Sequence, residues 1–96
     1  MKINLTAILK SKPERIEELR HILLDMVNQS KSETACVQYE LHQDKNDKSL
    51  FIFHEVWENQ TGFDLHNQQS YIQSFFQNSK SFLQEEPLLY FTNRIA

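Results

Sequence analysis

Residues 49–57 are mostly apolar on both of their alternate sets, and that property restricts the fold more than any other in the chain. One set is Phe51, Phe53, Glu55 and Trp57; the other is Leu50, Ile52, His54 and Val56. A strand with one wet face alternates apolar with polar residues, whereas one that is apolar both ways sits centrally with both faces covered. The strand therefore needs neighbours on each side and a layer over each face.

The flanking segments supply the neighbours. Residues 2–10 alternate as Ile3, Leu5, Ala7 and Leu9 against Lys2, Asn4, Thr6, Ile8 and Lys10, the period of a strand. Ser11 and Glu14 stand at capping-box spacing with Pro13 between them, which predicts a helix opening there and running to about Ser30. Its apolar face carries Ile16, Leu19, Leu23, Met26 and Val27. A second strand follows over about 35–43, with Val37, Tyr39 and Leu41 on one face and Gln38, Glu40 and His42 on the other. The segment 44–48 is a turn.

Asn59 is placed to cap a short helix through Asn67. A longer helix starts at Gln69 or Ser70 and carries Ile72, Phe75, Phe76, Ser79, Phe82 and Leu83 on one stripe. Pro87 ends it and leads into a last strand over about 88–94. The order β-α-β-β-α-α-β predicts an α+β, ferredoxin-like sandwich: an antiparallel sheet with helices on one face, forming one domain over 1–96. Helices on one face leave the other face of the central strand wet, at roughly 1.5–3 kcal/mol per large side chain. A second copy packed sheet against sheet removes that cost, so a homodimer is expected.

Composition excludes several partners. A net charge of -3 argues against nucleic acid and anionic membranes, which select basic surfaces. No apolar run exceeds four residues, too short to span a bilayer. The start Met1-Lys2-Ile3-Asn4 has no apolar core of a secretory signal, so cytoplasmic residence is expected. Cys36 is the single cysteine, which rules out an internal disulfide and suits a reducing compartment. With no base beside it in sequence, it reads as a small buried hydrophobe. His42 and His54 lie on paired strands, offset by about two positions and without a further ligand at a recognised spacing, so no metal site is expected.

Trp57 at the end of the central strand and His66 on the following helix put an indole and a titratable ring on neighbouring elements. That pairing predicts one enclosed, mostly apolar chamber for a planar organic molecule, walled by the indole and closed by the imidazole-bearing helix.

Tyr39-Glu40-Leu41, then Phe51-Ile52-Phe53-His54-Glu55-Val56-Trp57, then Phe63 and His66, resemble the antibiotic biosynthesis monooxygenase family across nearly the whole chain. The resemblance implies a dimeric α+β barrel and oxidation of phenolic or quinol-type molecules by O2, with no metal or flavin cofactor. Two features depart from the family pattern. Tyr71 stands where a second histidine is common, and Phe76 stands about where haem-degrading members carry an axial histidine.

Within this resemblance His66 is the candidate catalytic base or hydrogen-bond partner of the phenolic oxygen. Trp57 and Phe53 are candidate walls of the substrate site, Tyr71 a donor into it, and Asn4 a group that orients a carbonyl. Each has a plainer reading: surface or packing histidine, core anchors, a helix-start phenol in water and a solvated strand residue. Glu55, among aromatic side chains, needs a partner or a proton, and Arg94 or a backbone amide is the expected partner. Two other functions stay open, a non-catalytic dimer that binds a small molecule and an isomerase of a small phosphorylated metabolite. The second wants a cationic pocket, and residues 57–72 contain no Lys or Arg.

Overall fold

The computed structural model describes residues 1–96. Four strands, β1 (Ile3–Lys10), β2 (Cys36–Gln43), β3 (Leu50–Trp57) and β4 (Leu88–Thr92), form one sheet in the order β2-β3-β1-β4. Every adjacent pair is antiparallel. The helices are α1 (Ile16–Lys31), α2 (Gln60–Asn67) and α3 (Ser70–Asn78). This is the expected ferredoxin-like α+β fold, with β3 in the interior of the sheet. No helix is long and apolar enough to cross a membrane.

Strand alternation decides which side chains reach the core. Leu5, Ala7 and Leu9 of β1 and Phe51, Phe53, Glu55 and Trp57 of β3 are buried under the helices. Leu19, Leu23, Met26 and Ser30 of α1 meet them at helical spacing. On the other face Ile8, Ile52 and Val56 are only half-buried.

Local chemistry departs from expectation at two places. Ser11 does not cap α1. Its backbone N–H donates to the Ser49 carbonyl at 2.7 Å, it bridges to Leu83, and its hydroxyl donates to the Lys12 carbonyl. Being buried and used to prolong the sheet, Ser11 is unavailable as a cap. Pro13–Arg15 instead form a 3-10 turn, and α1 starts at Ile16. The Arg15 guanidinium holds that turn by donating to Glu18 at 2.6 Å and lying over the Phe82 ring. Val37 does not join Tyr39 in the core. Cys36 pairs with Trp57 and Gln38 with Val56, so Val37 is the extra residue of a bulge and is exposed.

Asn59 caps α2 as expected, its side chain accepting from the Gly62 N–H at 2.8 Å. Gly62 is needed for close approach rather than for backbone freedom. A Cβ there would lie 2.2 Å from the Ala35 Cβ, in the loop before β2. Gly62→Ala gains about 1 kcal/mol of helix propensity. The clash should outweigh that and destabilise by about 1–3 kcal/mol. A urea midpoint at or above that of the parent protein would contradict the contact.

Candidate functional site

His66 lies on the inner face of α2 and is 3% exposed. Its Nδ1 is 2.8 Å from Oε2 of Glu33, which sits in the loop between α1 and β2. The Tyr71 hydroxyl donates to the same oxygen. Since that uses its only proton, the Ser30 hydroxyl, 3.1 Å away, donates to Tyr71. A chain of hydrogen bonds thus runs from Ser30 through Tyr71 to Glu33, with His66 on its far side. A carboxylate at Nδ1 fixes the tautomer with the proton on that nitrogen and leaves the Nε2 lone pair free. Burial lowers the imidazole pKa from its ordinary value, against the opposing pull of Glu33. Every fully buried side-chain nitrogen and oxygen has a hydrogen-bond partner. Nε2 has none and therefore reaches open space.

That space is a cavity of about 220 Å³ between the sheet and α1, α2 and α3. Twelve of its sixteen lining residues are hydrophobic, among them Leu5, Ala7, Tyr39, Phe53 and Phe75. Its polar lining comes from Glu55, His66 and Asn67, and no Lys or Arg contributes. Phe76, Leu89 and Phe91, each about half exposed, form its lip.

The sequence-derived site is partly assembled here. His66 and Phe53 line the cavity. Trp57 does not. It is fully buried, with its ring centroid 4.3 Å from that of His66, so the two rings touch and no ligand fits between them. The chamber lies on another side of the imidazole, and Trp57 backs His66 rather than walling the ligand. Tyr71 is turned toward Glu33 and Ser30 and does not line the cavity. Burial first, then the bond to Glu33, push its phenol well above the ordinary range, so it remains a donor. Asn4 lies on the opposite sheet face, paired with Val56 and Thr92, because β1 sends only Ile3, Leu5, Ala7 and Leu9 toward the helices.

Glu55 finds a partner other than Arg94. The Trp57 indole N–H donates to its Oε1 at 2.9 Å, while Arg94 bonds the Ala96 carbonyl. Oε2 has no partner and, by the same reasoning as for Nε2, reaches open space where Glu55 lines the cavity. Burial pushes this carboxyl up to about 7, with the Trp57 bond working against the shift. Tyr39 opposes Glu55 across the strands, and its phenol is raised strongly by burial and by that carboxylate. The Cys36 thiol is raised by burial and by Glu33 and Glu55, so it stays protonated.

His42 and His54 approach diagonally, ring centroids 5.4 Å apart, on the helix-free sheet face. No group of three or more His, Cys, Asp or Glu side chains is placed to hold a metal ion. Glu33 sits in an irregular loop that no periodicity marks, so the sequence carries no local signal for its role. Ser30 did carry a signal, since it continues the spacing of Leu19, Leu23 and Met26.

The sequence model for antibiotic biosynthesis monooxygenases matches residues 3–78. Among curated proteins, the uncharacterized sll1783 of Synechocystis is 32% identical over 75 residues, which is 78% of this chain and 51% of that protein. The chain thus spans about half the length of that relative. YcnE of Bacillus subtilis, named for a proposed monooxygenase activity, is 30% identical over 81 residues, covering 84% of this chain and 85% of YcnE. Among solved structures, PA3566 of Pseudomonas aeruginosa superposes with a TM-score of 0.92 at 28% identity, over 99% of this chain and 95% of that one.

Proposed function

This chain belongs to the antibiotic biosynthesis monooxygenase family, and from that premise we propose a cofactor-independent monooxygenase that oxidises a small phenolic or quinol-type molecule with O2. The observation that carries the reading is the Glu33–His66 pair, with a free Nε2 on a mostly apolar cavity. Nε2 takes the proton of a ring hydroxyl, and Glu33 stabilises the imidazolium that results. The phenolate, electron-rich and shielded from water, passes an electron to O2, and the two radicals join at a ring carbon. The proton held by Nε2 makes the product a hydroperoxide. Loss of water, which carries off the second oxygen atom with the hydrogen of that carbon, leaves a quinone. The substrate carries the hard chemistry, so the protein supplies deprotonation, orientation and exclusion of water.

Oxygen uptake with menadiol or a related hydroquinone tests this. His66→Ala is expected to slow the enzymatic rate about 10²–10⁴-fold. Uptake no faster than autoxidation across a panel of quinols would favour the non-catalytic binding reading. An unchanged rate in His66→Ala would remove that residue from the mechanism. An isomerase of a phosphorylated metabolite has less support, because no cationic side chain lines the cavity.

In the same reading the working form is a cytoplasmic homodimer, two copies meeting at the helix-free sheet face. Supporting this, Leu88 and Tyr90 of β4, which pair with Ile8 and Thr6 on the helix-free face, are about half exposed in the single chain. Light scattering that gave a monomer of 11.5 kDa at micromolar concentration would contradict it.

A further inference from the structure

We propose that Glu55 is the specificity-determining residue of the cavity: its unpartnered Oε2 hydrogen-bonds a neutral hydroxyl on the ligand ring and turns away rings that carry a carboxylate. The proposal deepens the reading above and rests on it, since it assumes that the cavity takes an aromatic ring.

Three observations carry it. Glu55 is 6% exposed, yet one of its oxygens meets open space at the cavity wall. Its other oxygen is held by the Trp57 indole, so the carboxyl cannot turn away to find water. No Lys or Arg lines the cavity to neutralise a second negative charge. A neutral hydroxyl can donate to Oε2 when the carboxyl is ionised, or accept from it when protonated. A ligand carboxylate has only acceptors and adds a like charge in a dry site, which is the repulsive half of a specificity device.

The titratable groups around Glu55 are Tyr39 on β2, His66 on α2, Glu33 in the loop before β2 and Cys36 at the start of β2. Both phenol and thiol are raised and stay neutral. His66, whose pKa burial holds below its ordinary value of 6.5, is thus the other cavity-lining group that can change charge. Its loss of a proton on raising the pH also disfavours an anionic ligand, so its share has to be separated.

Calorimetric titration with 2-naphthol and with 2-naphthoate tests the proposal. At about pH 8 the folded wild-type protein should bind the naphthol at least about tenfold tighter than the naphthoate. Glu55→Gln, which keeps the shape and the acceptor for Trp57, should bring the two within about threefold by gaining naphthoate affinity. Glu55→Asp should retain the discrimination. In His66→Gln, naphthoate binding should still weaken as pH rises through 7, because Glu55 still ionises. That last profile needs no change at Glu55 and decides the matter if Glu55→Gln fails to fold. Equal binding of both rings by the wild type, or discrimination that survives in Glu55→Gln, overturns the role of Glu55 alone. Binding of neither ring by any variant overturns the aromatic-ring reading and this proposal together.

Discussion

Trp57→Ala is expected to cost about 3–5 kcal/mol, the range for deleting a large buried aromatic. A domain of this size has about 5–15 kcal/mol in total, so the variant should be largely or marginally unfolded at 37 °C. The reason is the number of separate things this side chain does. It is fully buried, packs against Tyr39, Phe63 and His66, and donates the hydrogen bond that partly offsets the burial of Glu55. Truncation opens a cavity and strands a carboxyl oxygen at the same time. Trp57→Phe separates the two effects, because it keeps much of the ring and removes the donor. That variant should lose about 1–3 kcal/mol, the usual cost of leaving a buried polar group unpaired. Urea denaturation followed by circular dichroism measures both without relying on the fluorescence of the residue removed. A loss under 1 kcal/mol for Trp57→Ala would mean that the ring is not the anchor described here.

Glu55→Gln is expected to gain stability over the wild type as pH rises. The sign follows from proton binding. The carboxyl has an ordinary value of 4.5 and a folded value of about 7, so between the two the folded state holds a proton that the unfolded state has lost. Stability from this group is complete below about pH 4.5 and falls as pH rises toward 7, by on the order of 3 kcal/mol. Glutamine does not ionise, so the difference between variant and wild type should climb across that window and level off above it. His66 acts the other way. Its folded pKa is lowered, so stability falls as pH drops below its ordinary value of 6.5. Both proteins contain His66, and subtracting one curve from the other isolates the carboxyl. Denaturation midpoints at half-unit steps of pH provide the curves. A difference that stays flat from pH 4 to 8 would show that Glu55 is ionised at little cost, and would weaken the argument for its selectivity as well.

Element order was readable in the sequence because two periods, near two and near 3.6, are written by burial on one face. Ile3 to Lys10 and Leu50 to Trp57 announce strands, and Leu19, Leu23 and Met26 announce a helix, through nearest-neighbour chemistry alone. Asn59 was legible as a cap for the same reason, since its partner Gly62 is three residues away. Ser11 had the same local signature and failed, because long-range pairing with Ser49 and Leu83 competed for its backbone and its burial. Val37 failed through a bulge that shifts alternation by one residue.

The site divides along the same line. That His66 and Phe53 face one way, and Asn4 the other, follows from helix and strand periodicity once it is known which sheet face the helices cover. Which side of His66 stays open does not follow. Trp57 and His66 come from successive elements, and only packing decides whether such rings clasp a ligand or each other. Here they pack against each other at an interplanar angle of 34°, and the cavity lies elsewhere around the imidazole. Glu33 reaches His66 across thirty-three residues of chain and Tyr71 across thirty-eight. Sequence by itself determined the family, the order of elements and the residue types available, because those depend on local pattern. Only the tertiary structure decided that Glu33 orients His66 and that Glu55 keeps one oxygen toward the cavity, because hydrogen bonds between distant segments exist only after the core has closed.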